Sequence, residues 1–363
     1  MIQKVTNYKQ LKQFIYFKAF LYEDDPHFVP PLYFILKREL KTEVLKKKRY
    51  TALLDIDNNQ INGRILYTID DSKQHHQSVG YFSFYDVIDD LSVSKRLFEA
   101  MIDDLKTQGI KIVEGTFTPY DPDTRRGILI KGFDDDPVIF SSYNKPYYQK
   151  HLEQLGFTKM MDTVALKADV SDKTYKRLNA INRFFNRNHD VRIDALSFKH
   201  LDRDMKDVHT ILNAADHDII YQETPNMSMI EHAARQLKPF INPKMILIAR
   251  ENKTNTPIAF SLVLPDYHQV FKAMKGRFRP WTFFRKRKQI TRARGMMQYV
   301  IPRYQNSGLL GAMFYQMYVV FKEEGIRDFE AGTIVESNVK SIEAFNKFGG
   351  DITKIYRIYR KDI

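Results

Sequence analysis

The sequence predicts an α/β protein with a mixed sheet, built as two related halves in tandem. Three observations carry this. A chain of 363 residues is longer than most single hydrophobic cores accommodate. Strand-like and helix-like segments recur in the same order in both halves. Finally, one offset aligns them: Ala52-Leu53-Leu54 precedes Met245-Ile246-Leu247 by 193 residues, and Leu155-Gly156-Phe157 precedes Phe348-Gly349-Gly350 by 193.

The first half begins with a helix over Tyr8–Leu21, a turn carrying Pro26, Pro30 and Pro31, and a second helix over Leu32–Lys48. Ala52–Ile56 and Arg64–Ile69 read as strands around an Asp57-Asn58-Asn59 turn. A strand over Val79–Tyr85 leads into a helix near Val93–Gln108, where Leu97, Met101 and Leu105 recur every four residues. Strand Ile110–Gly115, a Pro/Asp/Gly-rich excursion over Tyr120–Pro137, strand Val138–Phe140, helix Pro146–Leu155 and strand Thr163–Leu166 follow. We expect boundaries at 1–167 and 193–363, with a polar helical connector over 168–192.

The second half repeats the programme. Helices fall at Leu201–Ala214 and Met229–Leu237, and strands at Met245–Ala249, Ile258–Val263 and Thr291–Ile301. A helix over Leu310–Glu324, strand Arg327–Gly332, helix Val339–Phe348 and strand Ile355–Tyr359 complete it.

Composition narrows the chemistry. The chain has no cysteine, which removes disulfides, thiolate nucleophiles and Cys-ligated metals. No HExxH, GxxxxGK[ST] or GxSxG pattern is present, so we expect no metal. His75-His76 sits in the polar stretch Ser72–Ser78 and reads as an exposed connection. The N-terminus lacks a clean apolar core, and no apolar run reaches the roughly 18–20 residues a spanning helix requires. A cytoplasmic location is the expectation. Net charge is +13, of which +12 lies between Asp266 and Glu323, a run of 56 residues without Asp or Glu.

The chemistry-bearing run is Tyr299 to Met313. A strand ends at Val300–Ile301, a turn carries Gln305, Asn306, Ser307 and Gly308, and a helix starts around Leu309. N–H groups at a helix start lack intrahelical partners, and with the turn they form a nest for anionic oxygens. Pro302 should end strand pairing and let the strand splay from its neighbour, opening a gap for the amides of an elongated ligand. An ordinary strand–turn–helix connection is the plain alternative.

This run resembles the Gln/Arg-x-x-Gly-x-Gly/Ala pyrophosphate loop of the GCN5-related N-acetyltransferases, with Gln305 and Gly308 matching and Leu310 departing. Downstream, Asn338 to Gly349 resembles the family's closing Asn-x-x-Ala-x-x-Leu-Tyr-Glu-Lys-Leu-Gly motif. Asn338 stands at a helix N-cap there, and Phe345 where many members carry a Tyr that protonates the departing thiolate. The whole chain is also similar to tandem-lobed bacterial proteins of this type, through Asp25–Pro31, Gly132-Phe133, Tyr143–Tyr148, Leu155–Phe157, Leu237–Pro239, Leu264–Asp266 and Tyr356–Tyr359.

The resemblance implies two acyl-CoA N-acyltransferase-like lobes. Acetyl-CoA or another acyl-CoA would bind the second lobe at Val300, Ile301, Gln305–Leu309 and Asn338, and an amine-bearing small molecule or peptide would be acylated. Glu330 or Glu336 could take the amine proton, and an N–H near Val300 could stabilise the oxyanion. Both carboxylates also have structural readings, in strand packing and in a loop or cap. The first lobe carries Asp86, Asp89 and Asp90 where the second carries its turn, so it is expected to repel a pyrophosphate and serve as scaffold or in acceptor recognition.

The stretch 272–294 interleaves cations with Phe278, Trp281, Phe283 and Phe284. An acidic ligand, an anionic membrane surface, tRNA, or a solvated hairpin with buried aromatics all fit it. The competing functional classes are an aminoacyl-tRNA-dependent peptidyl transferase, which tandem lobes of this fold also resemble, and a non-catalytic CoA-binding or sensor protein.

Overall fold

A computed structural model describes residues 1–70, 79–116, 127–214 and 226–363. His75, His76 and the start of the Tyr120–Pro137 excursion lie outside the described residues. In chain order the elements are β1 (Ile2–Lys4), α1 (Tyr8–Leu21), α2 (Tyr33–Leu40), β2 (Thr51–Asp57), β3 (Gln60–Asp70), β4 (Val79–Val87), α3 (Leu91–Thr107), β5 (Ile112–Gly115), β6 (Ile128–Lys131), α4 (Tyr148–Gln154) and β7 (Thr158–Asp169). Then come α5 (Asp172–Asn188), β8 (Val191–Ala195), α6 (Leu201–Ala214), α7 (Met227–Leu237), β9 (Ile246–Glu251), β10 (Pro257–Pro265), α8 (His268–Met274) and α9 (Pro280–Arg287). The chain finishes with β11 (Arg292–Val300), α10 (Leu309–Glu324), β12 (Asp328–Val335), α11 (Val339–Lys347) and β13 (Asp351–Asp362).

Two compact units emerge. Unit 1 holds Met1–Val164, His268–Lys286 and Thr353–Ile363, and unit 2 holds Ala165–Tyr267 and Arg287–Ile352.

In unit 1 the strand order is β1-β2-β3-β4-β5-β13, with β6 pairing β13. The β4–β5 pair is parallel and the β1–β2, β2–β3, β3–β4 and β5–β13 pairs are antiparallel. The four-residue period expected in the first half is real: Leu97, Met101 and Leu105 of α3 are fully buried in a core with Phe82, Phe98 and Phe157. A second core sets Leu11, Phe14 and Ile15 of α1 and Leu36 of α2 against Ala52, Leu54 and Leu66. Burying each such side chain contributes about 1.5–3 kcal/mol. Asn7 caps α1 by accepting from the Gln10 N–H at 3.0 Å.

In unit 2 the order β12-β11-β10-β9-β8 places the parallel β11–β12 pair next to an antiparallel meander. Ile211 and Leu212 of α6 pack on Ile248 and Phe260, with Met297, Tyr299 and Ile301 alongside. Gln298 points to the other face and reaches Met313 of α10.

Several local expectations change. Val138–Phe140 forms no strand and ends in a turn at Ile139–Phe140, because Pro137 donates no ladder bond and Phe140 takes φ +63°. The short strands β6 and β8 lacked a readable period. The basic stretch folds as the helices α8 and α9 in place of a hairpin. The second helix ends at Leu40 and continues as a π turn over Lys41–Lys46.

Candidate functional site

The sheet of unit 2 opens along β11 and β12. Their register partners run from Arg292–Asp328 to Gly295–Ala331 and stop, although both strands continue. The cause lies on the other side of β11, where Leu262 faces Met297 and Val263 faces Gly295, so Met296 is an extra residue. Such a bulge bends its strand and increases its twist, and it falls where pairing with β12 ends. The splay expected from Pro302 therefore exists but begins six residues earlier. Pro302 opens a short 3₁₀ turn over Pro302–Tyr304.

Alternation fixes what faces the gap. The Ile301 N–H donates to the Ile258 carbonyl at 3.0 Å, towards β10. The pleat then turns the N–H groups of Val300 and Gln298 the other way, towards the opening. The Val300 carbonyl shares that side and accepts from the Gln305 side-chain amide at 3.4 Å.

The turn was expected to offer its amides from Gln305 to Leu309, and the structure divides them. Gln305 N–H donates to Pro302 O at 3.1 Å, Ser307 N–H to Tyr304 O at 3.4 Å, and Leu309 N–H to the Ser307 hydroxyl at 3.2 Å. These three are occupied within the loop. The N–H groups of Asn306, Gly308, Leu310 and Gly311 make no hydrogen bond among the described residues. Asn306 and Gly308 both have positive φ, +61° and +94°, which curls successive amides into a concave nest. Ser307 acts by holding the turn, its hydroxyl donating to Tyr304 O at 2.7 Å. Leu310 and Gly311 were missed as donors because a backbone donor leaves no mark on side-chain identity.

The carboxylate nearest this loop in the hydrogen-bond pattern is Glu251. Its partners are the Tyr304 hydroxyl at 2.6 Å, the Thr254 hydroxyl at 2.8 Å and Arg303 at 3.6 Å. The Tyr304 bond, foremost, holds this carboxyl below its usual range.

Helix packing explains the small residues. A Cβ on Gly311 would lie 2.6 Å from Ile181 Cγ2 of α5, whereas one on Gly308 would meet Ile181 and Phe185 at ordinary contact distance. Gly311 thus allows α5 to close over α10, and Gly308 is needed for its left-handed backbone. We expect Gly311→Val to destabilise by about 1–3 kcal/mol through overpacking. Adding Ile181→Ala should recover part of that loss in urea unfolding, and no recovery would place the strain elsewhere.

Asn338 is the N-cap of α11, accepting from Ser341 N–H at 3.2 Å. Phe345 stacks against Phe329 at 5.7 Å and meets Phe314 edge-on at 5.2 Å, so packing accounts for its apolar ring. If the opening serves thioester chemistry, Phe345→Tyr is expected to leave thiol release within about twofold of wild type, since packing occupies the ring. A large gain would contradict this. Glu330 is buried, 1% exposed, in the paired part of β12 beside its register partner Arg294. Arg294 also donates to Gly332 O at 2.8 Å. Glu336 is exposed in the turn after β12. Neither carboxylate lies on the splayed segment of β11 that presents the amides.

In unit 1 the corresponding backbone groups of β4 are taken up by side chains. The β4–β5 register ends at Phe82–Gly115, and a bulge lies opposite Arg64–Leu66. Ile88 N–H donates towards β3, to Asn62 O, so the Val87 N–H turns away from β3 as that of Val300 turns away from β10. The Val87 N–H donates to the Tyr148 hydroxyl at 3.1 Å, and its carbonyl accepts from Tyr147 at 2.7 Å. Of the three carboxylates expected at a helix start, Asp90 caps α3, accepting from Ser92 N–H at 2.8 Å. Asp89 lies 3.3 Å from His151. Asp86 sits inside β4, bonded twice by Arg64 at 2.8 and 2.6 Å.

Sequence comparison finds relatives along the whole chain. Protein YghO of Escherichia coli is 27% identical over 382 residues, covering 100% of this chain and 95% of its own. A bacterial ceramide synthase of Caulobacter vibrioides is 23% identical over 373 residues, covering 97% and 94%. No family model matches. A GCN5-related N-acetyltransferase from Sphaerobacter thermophilus superposes with a TM-score of 0.58 at 10% identity, covering 99% of this chain and 95% of that one. A tandem GNAT protein from the clavulanic acid biosynthesis pathway gives 0.57 at 9% identity, covering 100% and 98%. At such identities the likeness speaks for architecture. A parallel strand pair in each unit and full-length superposition on a tandem protein lead to one statement: the chain has the fold of the GCN5-related N-acetyltransferases, in tandem lobes.

Proposed function

We propose that this protein is an acyl-CoA-dependent N-acyltransferase whose donor site is the opening of unit 2. The observation that carries the reading is the set of outward N–H groups at Asn306, Gly308, Leu310 and Gly311 beside the splayed β11. Those amides suit diphosphate oxygens, and Glu251, already held by Tyr304, Thr254 and Arg303, opposes them little. Val300 and Gln298 N–H groups suit the amide carbonyls of a pantetheine arm and the thioester oxygen.

A thioester supplies an activated acyl carbon and a thiolate good enough to leave without a dedicated acid, which agrees with the apolar Phe345. The chain's work is alignment and charge stabilisation: Val300 N–H faces the developing oxyanion, and the acceptor amine must arrive unprotonated. Glu330 fits the base role poorly, because it is buried beside Arg294. Glu336, solvent-exposed, could pass the amine proton to water.

For substrate class, the named relative favours a lipid-like acceptor. A ceramide synthase joins an acyl group to the amine of a long-chain base, and its likeness extends over nearly all of this chain. We therefore place long-chain amines ahead of small polar amines or peptides, and fatty acyl-CoA beside acetyl-CoA.

The reading is tested by calorimetry with CoA and acetyl-CoA, then by thiol release on a panel crossing acetyl-CoA and palmitoyl-CoA with long-chain bases, small amines and peptides. Saturable binding and amine-dependent thiol release are expected. Absence of heat and of thermal stabilisation at millimolar CoA would reject the donor site. Binding without turnover on any amine would favour a non-catalytic CoA-binding protein.

A further inference from the structure

The basic aromatic stretch plays no part in the acyl-transfer reading, yet it is built as a platform. Residues 268–286, which include α8, belong to unit 1. Tyr33 N–H donates to Gly276 O at 3.2 Å, Lys272 pairs with Asp136, and His268 Nδ1 lies 2.8 Å from Pro137 O. A Cβ at Gly276 would overlap the Tyr33 ring, so the segment lies close against α2.

This platform turns rings outward. Trp281 is 89% exposed and Phe284 58%, with Phe34 and Phe278 about half exposed. Phe34 and Phe278 meet edge-on at 6.1 Å, Phe283 and Phe284 edge-on at 5.6 Å, and Phe278 and Phe283 lie tilted at 5.7 Å. Around this ridge, Lys275, Arg277, Arg279, Arg285 and Lys286 make no ion pair among the described residues. No Asp or Glu occurs from 267 to 322 to balance them. Beside the ridge, Tyr16, Phe28, Tyr33 and Phe278 help to line an open groove of about 670 Å³ with Lys37, Lys275 and Arg277, which Glu23 and the Lys145-paired Asp25 also line.

We propose that this face of unit 1 docks on the surface of an anionic phospholipid bilayer. Trp281 and Phe284 enter the headgroup level while Arg277, Arg279, Arg285 and Lys286 lie among lipid phosphates. No helix among the described residues is long and apolar enough to cross a membrane, so the contact is peripheral. Nucleic acid would also meet the positive charge, but it needs ring faces open to bases. Here Phe34, Phe278, Phe283 and Phe284 pack against one another.

The chain carries one tryptophan, so its emission reports this patch alone. The full protein is mixed with phosphatidylcholine vesicles, with and without about a third phosphatidylglycerol, and followed by sedimentation and fluorescence. Binding with a blue-shifted Trp281 emission is expected only with anionic vesicles, weakening as salt rises. Neutralising Arg285 and Lys286 to Ser should lower partitioning about 25-fold, some fivefold per charge. Phe284→Ala, which keeps the fluorophore, should also weaken binding. Phe284 and Arg285 are exposed and Lys286 is half-buried, and an unchanged thermal melt confirms the fold. No sedimentation, equal binding to neutral vesicles, binding without a Trp281 shift, or displacement of the vesicles by tRNA would each overturn the proposal.

Discussion

Val300→Pro should abolish most acyl transfer while leaving the fold intact. Val300 faces Ala259 in the β10–β11 register, but its N–H points away from β10 into the opening, so proline there removes no ladder bond. The preceding Tyr299 is already extended, as a residue before proline prefers to be. What disappears is the one donor that the proposed mechanism aims at the acyl group. Removing a single donor of this kind costs about 100–1000-fold in rate. We expect a fall of that size in kcat/KM for thiol release, with the thermal midpoint moving by only a few degrees. Unchanged kinetics would remove Val300 from the site. Collapse of the fold would mean that its N–H is used internally.

Asp86→Ala is expected to have the largest effect on stability. Arg64 and Asp86 are each about 2% exposed, and Arg64 also donates to Phe14 O at 2.7 Å while lying over the Phe14 ring. Lys18 approaches the same carboxylate at 3.4 Å, and its pKa is lowered, with burial the largest cause. The hydroxyls of Tyr22 and Tyr148, each 3.4 Å from Asp86, have pKa values raised well above the ordinary value, foremost by burial and further by this charge. Without Asp86, the buried Arg64 guanidinium would lose the carboxylate it bonds twice. Breaking such a pair from one side costs about 3–5 kcal/mol. Urea unfolding should show unit 1 losing stability by that amount, and replacing Arg64 and Asp86 together by apolar residues should cost less. A loss under about 1 kcal/mol would show that solvent reaches the pair.

The legible parts of the sequence were those where side chains carry the pattern. Helices α1 and α6 match the expected Tyr8–Leu21 and Leu201–Ala214, because apolar periods mark both and Asn7 caps the first. The repeat also survives locally. Gly156 and Gly349, 193 residues apart, both take positive φ just after α4 and α11. The Asn338 cap stands where its residue type pointed. What stayed hidden depends on register and backbone. The bulge at Met296 is defined by which residue lacks a partner across β10, and no side-chain identity announces that. The division of loop amides into occupied and outward-facing groups is equally silent in the sequence. Tyr147 and Tyr148 were readable as helix-start aromatics, but not as hydroxyls bonded to Val87. Acidic residues drew attention for their charge alone. Asp86 answers Arg64 across the sheet, and Glu330 shares a register position with Arg294.

Crystallography of the protein soaked with CoA addresses the account most directly. The diphosphate oxygens are expected within hydrogen-bond reach of the Asn306, Gly308, Leu310 and Gly311 N–H groups, with the pantetheine arm lying between β11 and β12. Density for CoA elsewhere with these amides solvated, or β11 and β12 zipped together beyond Gly295–Ala331, would contradict it.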